Sequence, residues 1–207
     1  MPESASGSEP PEVRAFVALP RDPTWAESAR LFVEAMLPVS PHTSWSRTDT
    51  WHVTVKFVGR APAADLETFA RSLALLAAAV PAGDLRTDGA AVFPPRGPTR
   101  VLGLGFARTR ALEDLEAFAA AAEKEARTLG LQPEDRAFRP HVTLARMRAP
   151  WPREAVDFFR RAAAEWKFPD FEMRAGVLYG SRLARGGAVH TPIARWPFRA
   201  TGEGASA

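Results

Sequence analysis

Two similar segments constrain the fold of this chain more than any other feature of its sequence. Trp51-His-Val-Thr-Val55 resembles Pro140-His-Val-Thr-Leu144, and each segment is followed by an Arg-Ala-Pro turn and then by an amphipathic helix pattern. A repeated order of elements around a similar strand indicates two related lobes. Because strand and helix patterns also alternate elsewhere, we expect an α+β architecture of mostly antiparallel sheet with outer helices.

Hydrophobic periodicity and turn residues predict the individual elements. Pro192 is expected to break or bend the last strand. Residues 1–12 and 200–207 are small and polar and are expected to be disordered tails around one domain at 13–199. The patterns predict strands at 14–19, 51–58, 85–93, 100–106, 141–147, 171–183 and 187–198, and helices at 22–37, 63–79, 111–129 and 152–166.

Composition excludes several kinds of chemistry. The 207 residues include no cysteine, which removes disulfides, thiolate nucleophiles and thiolate metal sites. Lysine and arginine number 27 against 24 acidic residues, a small excess that weakly favours an anionic partner. No stretch has the pattern of a signal peptide or of a membrane span. We therefore expect a cytoplasmic protein that does not contact a membrane.

The two His-x-Thr strands are the candidate functional site. Side chains two residues apart on a strand point to the same face of the sheet, so His52 projects with Thr54, and His141 with Thr143. The apolar residues between them point into a core. If the two lobes face each other, two imidazoles flank a site that also holds two hydroxyl groups.

Two imidazoles and two hydroxyls suit phosphodiester chemistry. A neutral histidine can take a proton from water while a protonated one gives a proton to a leaving oxygen. Threonine hydroxyls can donate hydrogen bonds to the nonbridging oxygens of a phosphoryl group. This scheme requires no metal or covalent nucleophile, and no third ligand stands at a fixed spacing that would favour zinc. His42, which also precedes a Ser by two residues, is assigned to a loop without catalytic function.

Four segments carry a resemblance to a known family: Arg14-Ala-Phe-Val-Ala-Leu-Pro20, Trp51-His-Val-Thr-Val-Lys-Phe-Val-Gly59, Arg136-Ala-Phe-Arg-Pro-His-Val-Thr-Leu-Ala-Arg146 and Leu178-Tyr-Gly-Ser-Arg-Leu183. Over residues 14–198 the chain resembles the 2H phosphoesterase superfamily. More narrowly, it is similar to the RNA 2′,3′-cyclic phosphodiesterases once known as 2′-5′ RNA ligases. The resemblance implies a bilobal fold whose two His-x-Thr strands line a central cleft.

The resemblance also implies an activity without metal or cofactor. RNA ending in a 2′,3′-cyclic phosphate would be hydrolysed to a 2′-phosphate, and the reverse reaction with an RNA 5′-hydroxyl would form a 2′-5′ linkage. By the same resemblance, His52 is the proton donor to the leaving 3′ oxygen and His141 the proton acceptor that activates water. Thr54 and Thr143 hold the phosphate.

Three basic residues are candidates for contact with RNA. Lys56 shares the face of His52 if β-alternation is regular, although a solvated lysine fits the same pattern. Arg139 shares the parity of His141 and fits either an RNA contact or a surface ion pair. Arg146 matches the family pattern but falls on the face opposite His141, and is expected to be structural unless a β-bulge re-aims it. His190 has no partner in the sequence and is assigned to the surface or to packing.

Two alternative functions remain open at this stage. The same motifs would serve a 2H phosphodiesterase that acts on a small cyclic nucleotide, because the phosphate would occupy the same cleft. A protein that binds RNA ends without turnover would keep the same residues. A self-contained two-lobed cleft predicts a monomer in each case.

Overall fold

The computed structural model describes residues 11–40, 43–185 and 187–201. His42 and most of the two predicted tails therefore lie outside the described residues. At the N-terminal boundary the first strand already begins at Glu12, whose Cα partner is Pro62, so pairing starts one residue inside the predicted tail.

Nine strands and four α-helices make up the described chain, with short 3-10 turns at Leu37–Val39 and Thr48–Thr50. The predicted strand at 85–93 is divided between β3 and β4, and the predicted strand at 171–183 between β7 and β8. In chain order the elements are β1 (Glu12–Leu19), α1 (Pro23–Met36), β2 (Val53–Pro62), α2 (Ala63–Ala79), β3 (Gly83–Leu85), β4 (Thr87–Phe93), β5 (Val101–Phe106), α3 (Arg110–Thr128), β6 (His141–Arg146), α4 (Arg153–Glu165), β7 (Phe171–Met173), β8 (Ala175–Ala184) and β9 (Gly187–Pro197).

Local sequence signals explain where the helices begin. The side chain of Asp22 accepts a hydrogen bond from the backbone N–H of Trp25, and Pro23 occupies the first helical position of α1. Thr109 caps α3 in the same way through the N–H of Leu112. Each helix then buries one apolar face, as its periodicity predicted.

The main sheet has seven strands in the order β4-β5-β6-β2-β1-β8-β9, and β3 pairs with β7 in a second, two-stranded sheet. All of these pairings are antiparallel. If β1 is exchanged with β5, β2 with β6 and β4 with β8, the first six strands of this order appear again in the reverse order. The predicted relation between two lobes is thus a pseudo-twofold relation, with the seam between β2 and β6.

Each half of the sheet is covered by its own pair of helices. On the half formed by β4, β5 and β6, α1 meets α4 through Phe32 and Phe159, and Trp25 of α1 donates from Nε1 to Oγ1 of Thr87 at 2.7 Å. On the other half, α2 and α3 pack against each other and against β2 and β9. The fold class is therefore α+β, mostly antiparallel and bilobal, as predicted.

Pro192 distorts the last strand as expected. In the β8–β9 pairing, Leu178 faces Ala194 while Tyr179 faces Pro192, so Ile193 is an extra residue in β9. An extra residue of this kind is a β-bulge, which bends a strand without ending it. None of the helices in the described part of the chain has the length and hydropathy needed to cross a membrane.

Candidate active site

The two His-x-Thr motifs meet at the seam of the sheet. Val53 and Val142, the central residues of the motifs, are antiparallel Cα partners and are both fully buried. Extending this register by one residue on either side sets His52 opposite Thr143 and Thr54 opposite His141. Because the two valines point into the core, these four side chains share the opposite face. Each imidazole therefore lies across from the hydroxyl of the other motif.

Both imidazoles are held in the same way. Nδ1 of His52 lies 2.7 Å from the carbonyl oxygen of Thr50, and Nδ1 of His141 lies 2.7 Å from the carbonyl oxygen of Arg139. A carbonyl oxygen only accepts, so Nδ1 is the protonated nitrogen in both rings. In the neutral form, Nε2 of each ring is then left with a free lone pair and can act as a base.

Aromatic rings fix the position of each imidazole. The ring centroid of Phe16 lies 4.8 Å from that of His52, and the ring centroid of Phe93 lies 4.5 Å from that of His141. These contacts bury both imidazoles in part. Burial lowers the pKa of His52 to about 4, against the hydrogen bond to Thr50, which raises it. Burial also lowers the pKa of His141.

A cleft of about 890 Å³ opens over this face of the seam. A cleft of this size accommodates a nucleotide. His141 is not among the described residues that line it; it sits beside the cleft, near enough for its charge to lower the pKa of His52. The lining includes three of the four motif residues, namely His52, Thr54 and Thr143, together with Phe57, Arg146 and His190 and residues of the segments 14–16, 44–47, 132–136 and 181–188.

A β-bulge decides the position of Arg146. In the β5–β6 pairing, Gly103 faces Thr143 but Leu102 faces Ala145, so Leu144 is an extra residue in β6. Leu144 and Ala145 are both fully buried, and the side chain of Arg146 returns to the cleft. Arg146 is expected from its sequence position to be structural unless a bulge re-aims it, and the structure contains such a bulge. The charge of Arg146 lowers the pKa of both His52 and His141.

The corresponding bulge in β2 overturns the prediction for Lys56. Val17 faces Lys56 and Ala18 faces Thr54, which leaves Val55 as the extra residue. Lys56 consequently turns away from the cleft and is only 3% exposed. Regular alternation, on which the predicted RNA contact depended, does not hold across this bulge.

Buried Lys56 has a structural set of partners instead. Its Nζ donates to the carbonyl oxygens of Phe57 and Gln132 at 2.7 Å and lies 2.9 Å from a carboxylate oxygen of Glu123 on α3. These contacts tie β2 to α3 and to the loop that follows it. Phe57 takes the place that alternation assigned to Lys56; it lines the cleft, is 42% exposed and lies 6.0 Å from Cζ of Arg136.

Arg139 also differs from its predicted position. Its side chain is exposed and is not among the described residues that line the cleft. The structure instead gives its backbone a function, because its carbonyl oxygen holds Nδ1 of His141. Strand β6 begins only at His141, so the alternation assumed for residue 139 does not apply.

His190 lies in the cleft, contrary to its assignment to the surface or to packing. Its ring meets that of His52 edge-on at a centroid distance of 5.4 Å and that of Phe16 at 4.9 Å. Burial lowers its pKa, and the carboxylate of Asp49 acts in the opposite direction. Only the pairing of β9 with β8, where His190 faces Ser181, brings it to the site. No local motif reveals that register.

Comparisons with known proteins identify the family. Residues 20–179 match the model of the 2′-5′ RNA ligase superfamily. An RNA 2′,3′-cyclic phosphodiesterase from Thermus thermophilus is 30% identical over 177 residues, covering 81% of this chain and 82% of the relative. The chain thus belongs to the 2′-5′ RNA ligase superfamily, as its two motifs predicted.

Two further proteins are similar in sequence or in fold. An RNA 2′,3′-cyclic phosphodiesterase from Geobacillus stearothermophilus is 25% identical over 196 residues, which cover 91% of this chain but only 60% of that relative. The structure of E. coli LigT complexed with 3′-AMP has a TM-score of 0.66 at 23% identity, covering 91% of this chain and 99% of that chain. The second likeness concerns the fold.

Proposed function

We propose that this protein hydrolyses the 2′,3′-cyclic phosphate at the end of an RNA to a 2′-phosphate. The observation that carries the proposal is the pairing of Val53 with Val142, which brings two imidazoles and two threonine hydroxyls to one face of the sheet. Two curated relatives are named RNA 2′,3′-cyclic phosphodiesterase, and a structure of similar fold holds 3′-AMP. These names agree with a cleft that is large enough for a nucleotide.

The two histidines divide the proton transfers. His141 takes a proton at Nε2 from water as the water oxygen forms a bond to phosphorus. His52 gives a proton from Nε2 to the 3′ oxygen as the bond between phosphorus and that oxygen breaks. The product carries a 2′-phosphate and a free 3′-hydroxyl, and the two histidines end with exchanged protonation states. Run in reverse with an RNA 5′-hydroxyl in place of water, the same steps form a 2′-5′ linkage.

The bound phosphate supplies the charge that His52 needs as an acid. In the free protein the pKa of His52 is about 4, because burial and the neighbouring positive charges of His190, Arg146 and His141 favour the neutral ring. A phosphodiester anion in the cleft favours the protonated ring and raises this pKa. Substrate binding thereby protonates the general acid.

Arg146 and the threonines hold the phosphate in this scheme. The bulge in β6 directs the side chain of Arg146 into the cleft. There its guanidinium presents a planar set of donors to the nonbridging oxygens of the phosphate. Thr54 and Thr143 lie on the same face and donate from their hydroxyl groups. Hydrogen bonds of this kind stabilise the negative charge that develops as water attacks.

Product analysis tests the proposal. A short RNA ending in a 2′,3′-cyclic phosphate is incubated with the protein in EDTA, and the product is identified by chromatography against 2′-phosphate and 3′-phosphate standards. We expect a 2′-phosphate and no effect of EDTA. A 3′-phosphate would show that the other oxygen leaves and would overturn the assigned direction. Absence of turnover by a folded protein would leave the two alternatives, a 2H phosphodiesterase that acts on a small cyclic nucleotide and a protein that binds RNA ends without turnover.

A further inference from the structure

A second depression lies beside the active-site cleft and continues it. Its volume is about 430 Å³, and it shares Arg14, Ser181 and Leu183 with the cleft. Arg60 of β2 and Arg182 of β8 line its outer part. We call this depression the outer groove. Because the two spaces share one wall, a ligand too long for the cleft can extend into the outer groove.

The outer groove concentrates positive charge at a cost to the fold. Arg14 and Arg60 are direct Cα partners across β1 and β2, where like charges destabilise the pair. In the part of the chain that the structure describes, no acidic side chain forms an ion pair with either of them or with Arg182. Glu12 is the acidic residue among the described lining residues.

Arginines at the other rim of the cleft are arranged differently. Arg47 is paired with Asp49, and Arg136 is paired with Glu134 at 2.7 Å. The arginines of the outer groove therefore differ from Arg47 and Arg136 in having no described internal ion-pair partner. An anion from outside the chain would relieve the repulsion between Arg14 and Arg60.

We propose that the outer groove binds the phosphodiester backbone of the RNA strand that leads to the terminal cyclic phosphate. This inference rests on the proposed function. A 2′,3′-cyclic phosphate is at the 3′ end of its strand, so the strand can leave the cleft only on its 5′ side. Arg14 joins the cleft to the outer groove, and Arg60 and Arg182 carry the charge further. Guanidinium groups bind phosphate in two-point contacts without reading the base.

The arrangement makes the protein selective for oligonucleotides over a mononucleotide. A nucleoside 2′,3′-cyclic phosphate fills the cleft and leaves the outer groove unused. An oligonucleotide gains phosphate contacts remote from the reacting bond, and contacts of this kind raise kcat/KM for the longer substrate alone. They also weaken with salt, by a slope of about 0.7 per phosphate contact for a single strand.

The experiment compares charge variants on two substrates. Values of kcat/KM are measured for a nucleoside 2′,3′-cyclic phosphate and for a six-nucleotide RNA with the same 3′ end, using wild type, Arg60→Gln/Arg182→Gln and Glu12→Gln. Arg153→Gln/Arg161→Gln, a pair of exposed changes on α4 that removes the same total charge, is the matched control. We expect the Arg60→Gln/Arg182→Gln variant to lose about five- to tenfold on the hexanucleotide and to keep its rate on the mononucleotide. We expect Glu12→Gln to increase the hexanucleotide rate.

The outcomes separate this inference from the proposed function. Equal losses on both substrates, no loss on the hexanucleotide, or the same loss in Arg153→Gln/Arg161→Gln would overturn the outer groove as the strand-binding site. If neither substrate turns over, the proposed function fails. Fluorescence anisotropy with a 5′-labelled, 3′-phosphorylated hexanucleotide then tests the outer groove alone. A Kd raised about five- to tenfold by Arg60→Gln/Arg182→Gln supports the inference, and an unchanged Kd overturns it.

Discussion

Val53 and Val142 are antiparallel Cα partners where the two halves of the sheet meet, and this pair aligns the two His-x-Thr motifs. Each valine is the central residue of its motif and is fully buried. The seam between the two pseudo-symmetric lobes therefore runs through the candidate active site. As a consequence, each histidine acts next to residues supplied by the other half of the chain.

The approach of β5 to β6 predicts a matched pair of glycine variants. A Cβ at Gly103 would lie 2.4 Å from the carbonyl oxygen of Val142, whereas a Cβ at Gly105 would lie 3.7 Å from Cβ of Ala91. We expect Gly103→Ala to force the strands apart, to lower the free energy of unfolding by about 1–3 kcal/mol and to lower kcat. Gly105→Ala should change neither. Denaturant titration and steady-state kinetics measure both, and equal behaviour of the two variants would refute the close approach.

Lys56 should matter for stability and not for catalysis. Lys56→Met removes two hydrogen bonds and leaves the Glu123 carboxylate without its partner from β2, so we expect a loss of about 2–4 kcal/mol in the free energy of unfolding. The rate constant per folded molecule should not change. Lys124→Met, at an exposed position of α3, is the control and should unfold like wild type. A slowed reaction with unchanged stability would restore the phosphate contact predicted from alternation.

Features that depend on residues close together in the chain are the part of this structure that its sequence predicts. The start of α1 at Asp22-Pro23 depends on neighbouring residues, and the structure has it as predicted. The His-x-Thr pairs are recognised from neighbouring residues in the same way, and their central valines are partners across β2 and β6. Alternation fails after Thr54 and Thr143, because a bulge follows each motif. The bulges exchange the faces of the next residues, so Lys56 is buried and Arg146 reaches the cleft.

The pairing register of the strands is the second feature that the sequence does not predict. His190 reaches His52 because β9 folds back on β8, with a further bulge at Ile193. Nothing within a few residues of His190 encodes that pairing. The resemblance to a family supplied the chemistry of the site, whereas the positions of its remaining side chains depended on strand pairing that alternation cannot resolve.

The pH profile of kcat/KM should be bell-shaped, with its maximum at acidic pH. The base must be neutral, so the rate rises as pH passes the lowered pKa of His141; the acid must be protonated, so the rate falls above the pKa of His52, about 4 in the free protein. Since kcat/KM reports the free enzyme and both pKa values are lowered, we expect its maximum on the acidic side of pH 6.5, the ordinary pKa of histidine. The kcat profile should lie at higher pH, because the bound phosphate raises the pKa values. A maximum of kcat/KM above pH 7 would contradict these assignments.

Replacement of His190 should change the titration of His52. The charge of His190 lowers the pKa of His52 but does not contribute to the shift of His141. NMR titration of the imidazole C–H signals in His190→Gln should give a raised pKa for His52 and an unchanged one for His141. An unchanged pKa of His52 would mean that the charge of His190 does not act on His52 across the edge-on contact between the two rings.

A comparison of single and double histidine variants tests most directly whether the two motifs form one catalytic unit. Single-turnover rates are measured on an RNA with a 2′,3′-cyclic phosphate for His52→Ala, His141→Ala and the double variant, with circular dichroism to confirm folding. Each single variant should lose about 10²–10⁴ in rate, and the double variant should be little slower than the slower single variant. Losses that multiply in the double variant, or a single variant with the wild-type rate, would contradict a shared active site.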